Sequence, residues 1–145
     1  MDSISKKIIS FFFLSQVLFI SCVGFEDKLY SYIEEDCDFS ESDTSNFALS
    51  KAIGIDNYDT LYILQEWISD NEVADMIHIN YRLPFHIGDS QRGFVFVKSG
   101  KVIKAELLPQ HKVFIQQYDP IINDTFMVWR QYDDYLKEYK YLLFQ

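Results

Sequence analysis

Glycine is sparse in this chain: five residues are scattered through 145, and none builds the glycine-rich loop that cradles phosphate. Cysteine is rarer still. Only Cys22 and Cys37 occur, with no Cys-x-x-Cys pair, so a dithiol redox site is excluded. The three histidines, His78, His86 and His111, lack the i,i+4 or His-x-His spacing that brings two imidazoles onto one metal. Positive charge is in deficit, with 13 Lys and Arg against 22 Asp and Glu, a formal net charge of −9. A field of that sign repels phosphate backbones and anionic headgroups and speeds encounters with cationic partners. It disfavours nucleic acid, and it either keeps an exported protein soluble or attracts a specific basic partner, the first being the more ordinary use of such acidity. No internal repeat or low-complexity tract is present. The longest apolar run, Ile8 to Ile20, is broken by Ser10, Ser15 and Gln16. At about 13 residues it is too short to span a bilayer core of about 30 Å.

That run follows Lys6 and Lys7, which matches the charged and apolar regions of a secretory signal. It ends in Phe19-Ile20-Ser21-Cys22, which resembles the lipobox of bacterial lipoproteins, with Phe19 where the family usually has Leu. The resemblance implies cleavage before Cys22, lipidation of that cysteine and anchoring in the cell envelope; Val23 in the next position implies the outer membrane. Two alternatives stand beside it. Cleavage after Gly24 would release a secreted protein, and an oxidising compartment permits a Cys22 to Cys37 disulfide. If Cys22 is lipidated, Cys37 lies among Glu34, Glu35, Asp36 and Asp38, and neighbouring anions disfavour its thiolate. The organisation expected is a signal peptide over 1–21, a lipidated N-terminus with an acidic tether or short helix over 22–42, and a single domain over 43–145.

The domain is organised around Arg92 to Leu107. Phe94-Val95-Phe96-Val97 favours a strand and is apolar on both sides, which predicts a central position covered on both faces. Gly100 suits a tight turn into a second strand, Val102–Leu107, whose Lys104 and Glu106 predict one wet face. Thr60–Leu64 reads as another strand and Val113–Ile115 as an edge strand. Ser69-Asp70-Asn71-Glu72 has capping-box spacing and predicts a helix from Asp70 to about Ile79. Strand, helix, strand then predicts a crossover unit with parallel strands. A helix is also expected from about Asn46 to Ile53, stopped by Gly54. At the C-terminus, Arg130, Asp133, Asp134, Lys137, Glu138 and Lys140 fall within a helical arc of about 160°. Val128, Trp129, Tyr132, Tyr135, Leu136, Tyr139, Leu142 and Leu143 fill the opposite side, which predicts an amphipathic helix.

The fold class expected is therefore α+β. A small mixed sheet of three to four strands, with a central β-hairpin, is packed by the C-terminal helix and one or two further helices. The hairpin and last helix look like those of thioredoxin folds, but Ser69 to Glu72 stands where the redox cysteines belong, so that likeness implies at most a redox-dead variant. The Thr60–Leu64 strand with the Phe94–Val102 hairpin also resembles small envelope lipoproteins, a likeness that brings no activity.

Catalytic signals are weak. Gly88-Asp89-Ser90 near His86 resembles a serine-protease nucleophile loop, yet Gln91-Arg92 follow where that family has Gly-Gly, and a His and Ser four apart in one loop rarely form a triad. The expectation is an exported, non-enzymatic lipoprotein without cofactor or metal. It acts as a protein-binding module, an inhibitor or immunity-type protein for a cationic partner; the alternative is a structural or accessory envelope component. On the predicted helix Tyr141 falls on the charged side, so Tyr141, Asp133, Asp134 and Glu138 are the candidate partner-binding residues, and Tyr132, Tyr135 and Tyr139 are expected to pack on the sheet.

Overall fold

A computed structural model describes residues 24–55, 57–116, 120 and 124–145. The expectations for Lys6, Lys7 and Cys22 lie outside the described residues. In chain order the elements are α1 (Phe25–Asp36), β1 (Thr44–Ala48), α2 (Leu49–Ile53), β2 (Thr60–Leu64), α3 (Asp70–Ile77), β3 (Arg92–Lys98), β4 (Lys101–Leu108), β5 (Val113–Ile115), β6 (Thr125–Asp133) and β7 (Glu138–Phe144).

The hairpin expected at the centre forms as read. β3 lies between β2 and β4 in a three-stranded antiparallel sheet, and Gly93 to Val97 are all buried. Ser99 and Gly100 both take positive φ at its turn, as a two-residue hairpin with native twist requires. Gly93 is there for closeness: a Cβ on it would lie 2.5 Å from Ile87 Cδ1 and 3.2 Å from Leu64 Cβ. Lys104 and Glu106 pair at 2.7 Å on the wetter strand β4.

The two faces of this sheet serve two cores. Leu61, Ile63, Phe94 and Phe96 face a large core shared with the second sheet through Phe126, Val128, Tyr141 and Leu143. Leu64, Val95 and Val97 face a smaller core under α3, which contributes Val73 and Ile77. The helix α3 is held by the capping box read from sequence, Ser69 with Glu72, and ends where His78 turns left-handed. The helix α1 buries Phe25, Leu29 and Ile33 in the large core, with Phe25 edge-on to Phe94 at 5.0 Å and Tyr30 edge-on to Tyr141 at 5.6 Å, so it bears on both sheets.

Three expectations fail. The α+β fold packed by a C-terminal helix is replaced by a mostly-sheet architecture: Trp129, Tyr132 and their neighbours form the antiparallel hairpin β6–β7 inside a second sheet of order β1-β6-β7-β5. On one face Phe126 and Val128 are buried with Leu143 and Tyr141, while Arg130 and Tyr132, opposite Tyr141 and Tyr139, run out toward the exposed tip. The outward residues Met127, Trp129, Leu142 and Phe144 are apolar too, and this hides the two-residue period. The β2–β3 pair is antiparallel, because Leu64 registers with Gly93 and the intervening chain returns to the same end of the sheet. The segment expected as a helix from Asn46 begins as strand β1, and only Leu49–Ile53 is helical before Gly54 caps it at φ +67°.

β5 lies at the edge of the four-stranded sheet, parallel to β7. Its outward N–H groups are taken by side chains: Val113 N–H donates to Glu26 Oε1 (3.0 Å) and Ile115 N–H to Gln110 Oε1 (3.0 Å). Glu26 and Gln110 are the buried polar residues among those described, and Glu26 also accepts from Lys112 N–H (2.7 Å).

Candidate functional site

The β6–β7 hairpin carries most of the uncovered apolar surface. Nine large hydrophobic side chains are exposed among the described residues, and six of them, Met127, Trp129, Tyr132, Tyr135, Leu136 and Tyr139, belong to this hairpin. Isolated exposed apolar residues are ordinary, and their concentration on one hairpin makes it a candidate contact surface. Tyr135, 92% exposed, and Leu136 stand at the tip. The tip is rigid despite its exposure. Asp133 Oδ1 accepts N–H bonds from Tyr135 and Leu136 (3.0 Å each), and Lys137, at φ +58°, donates its N–H to Asp133 O (2.8 Å). Lys140 Nζ lies 2.7 Å from Asp133 Oδ2, and this pairing, with the two turn N–H bonds, holds the Asp133 carboxyl below its usual range.

The acidic segment 34–43 runs alongside. It holds Glu34, Glu35, Asp36, Asp38, Glu41 and Asp43 with no basic residue. Asp43 joins Arg130 at 3.0 Å, and the Arg130 guanidinium sits between the rings of Phe39 (4.6 Å) and Tyr139 (4.8 Å). A cleft of 260 Å³ opens here, lined by Glu34, Cys37, Phe39, Arg130, Tyr139 and Tyr141. Cys37 is a free thiol whose pKa is raised chiefly by burial, with Asp36 adding to the rise and a bond to Ser45 opposing it. That favours the thiol over the nucleophilic thiolate, in the direction expected from sequence.

Of the residues named from sequence, Asp133, Asp134 and Glu138 do come together, at the hairpin tip, where Lys137 lies 4.0 Å from Asp134 and Lys112 lies 4.0 Å from Glu138. Tyr141 is corrected. It faces inward on β7 and is 2% exposed, stacked on Phe39 and donating its hydroxyl to Glu34. Burial, then the Glu34 carboxylate, raise its pKa. Conversely Tyr132, Tyr135 and Tyr139, expected to be buried, are the exposed ones. The aromatic content between Thr125 and Phe144, four Tyr and two Phe beside Trp129 and Val128, is a β-propensity signal that would have found them.

The loop that carries Asp89 and Ser90 is held by bonds to its neighbours. Ser90 N–H donates to Glu66 Oε2 (2.8 Å), Ser90 O accepts from Gln110 Nε2 (3.2 Å), and Asp89 Oδ1 accepts from Trp67 Nε1 (2.9 Å). Among the described residues no three His, Cys, Asp or Glu side chains group as metal ligands, and no helix is long and apolar enough to cross a membrane. No protein family, curated protein or solved structure matches the chain.

Proposed function

We propose that this chain is a binding module, exported and lipid-anchored at Cys22 in the cell envelope, that docks a basic protein through the β6–β7 hairpin and the adjoining acidic segment 34–43. The reading rests on one observation: exposed aromatic and apolar side chains are concentrated on a single hairpin whose tip is held rigid by Asp133. Rigid Tyr and Trp side chains offer large contact area at low entropic cost, the property that makes them interface anchors. Charge supplies the partner's sign. Segment 34–43 and residues 130–140 together hold nine carboxylates and three cations, a surface that attracts a basic protein and loosens with salt.

The test is capture of a partner from the cell envelope by the mature protein, run beside the double variant Tyr135→Ser/Leu136→Ser. Both side chains are exposed, so folding is retained. The proposal expects a basic protein that the parent retains, the variant loses, and high salt releases. Equal capture by parent and variant would refute the hairpin as the docking surface, and a mature N-terminus other than lipidated Cys22 would refute the anchor.

A further inference from the structure

The far end of the three-stranded sheet carries an aromatic site that the protein-binding proposal does not use. Trp67 follows β2 and is 60% exposed, yet its backbone is left-handed at φ +61°. That conformation is costly for a bulky side chain and persists only where the surroundings enforce it. Here they do. Trp67 N–H donates to Ile87 O (2.9 Å), the indole N–H donates to Asp89 Oδ1 (2.9 Å), and the ring meets His86 edge-on at 5.2 Å. The loop after β2 and the loop before β3 are further tied by Ser90 N–H to Glu66. An indole is thus held in one orientation with most of its surface in water.

It lines a pocket of 520 Å³ together with Pro84, Phe85 and the Asp70–Arg82 pair. Asp70 Oδ2 lies 3.3 Å from Arg82 Nε, with 47% and 89% of the two side chains in solvent, and Asp70 Oδ1 accepts from Leu83 N–H (3.2 Å). A fixed aromatic plane beside a paired acceptor and donor array is what a pyranose ring requires. Its C–H face lies on the indole while adjacent hydroxyls donate to the carboxylate and accept from the guanidinium. The volume suits one or two sugar units. Asp70 and Arg82 offset one another, Asp89 and Glu66 add negative charge beside Trp67, and the chain as a whole is at −9, so an anionic sugar is repelled.

We propose that Trp67, Asp70 and Arg82 form a binding site for a neutral saccharide. The site is spatially separate from the hairpin, so its failure leaves the protein-docking proposal standing.

The test is titration of the folded protein with cellotetraose, maltotetraose and chitotetraose, and with a galacturonate tetramer as the anionic comparison. Tryptophan emission is read in a Trp129→Phe background so that Trp67 reports alone. At least one neutral tetrasaccharide is expected to shift the emission saturably, and the galacturonate tetramer is not. Binding, followed by calorimetry, is expected to fall at least about tenfold in Trp67→Asn. Asn tolerates the left-handed backbone, so that variant keeps the fold. Arg82→Gln is expected to weaken binding without changing the circular dichroism. No response to any neutral tetrasaccharide, undiminished binding in Trp67→Asn, or preference for the anionic tetramer would each overturn the proposal.

Discussion

The β3–β4 and β6–β7 hairpins have similar strand lengths and opposite surroundings. Strand β3 is buried on both faces between two cores, and its turn closes in two left-handed residues, Ser99 and Gly100. Strands β6 and β7 are apolar on both faces but covered on one, and their turn is a longer loop braced by the Asp133 carboxylate. Burial on both faces is what stability asks of an apolar strand. An apolar strand left half in water contributes less to stability, so its outer residues are free for contact with something else.

Four measurements sharpen or break this contrast. The largest effect is expected at Phe94, fully buried in β3 against Phe25: Phe94→Ala should lower unfolding stability in urea by about 3–5 kcal/mol. A loss near that of a surface substitution would refute the two-core arrangement. Next, Gly93→Ala should cost about 1–3 kcal/mol through overpacking, since the new methyl meets Ile87 and Leu64. The same assay reads it, and a neutral result would mean that the Ile87 and Leu64 side chains yield.

Third is alkaline pH. Burial raises the pKa of Tyr58, whose hydroxyl donates to Asp124 Oδ1 at 2.6 Å, and of Tyr141, whose hydroxyl donates to Glu34. A raised folded-state pKa adds stability that is fully present below the unfolded tyrosine value of about 10 and is lost as pH climbs above it. Tyrosinate absorbance should therefore show these two ionising only as circular dichroism reports unfolding. Their ionisation while the circular dichroism is still native would contradict this protection. The smallest effect is expected at Trp129, outward on β6: Trp129→Ser should change stability by less than about 1 kcal/mol. A larger loss would mean that the outer face is covered.

Legibility in the sequence followed the same divide. β2 matched its expected bounds, and the Ser69 capping box, the Gly100 turn and the central place of β3 were readable because local chemistry and burial agree there. Residues 125–144 were misread because Met127, Trp129, Leu142 and Phe144 put apolar groups on the outward face, which removes the alternation of a half-buried strand. What remained was a charge spacing that happens to suit 3.6 residues per turn. For the site, Asp133, Asp134 and Glu138, read as partner-binding residues, lie together at the hairpin tip because turn residues are near one another in either structure. Tyr141 was inverted together with the helix. Trp67 carried no sequence signal, because its importance lies in a backbone angle and in partners about 20 residues away.

With the Val113 and Ile115 N–H groups already engaged by Glu26 and Gln110, the β5 border of the four-stranded sheet offers neither of these donors to an incoming strand, which disfavours edge-to-edge association of copies through β5.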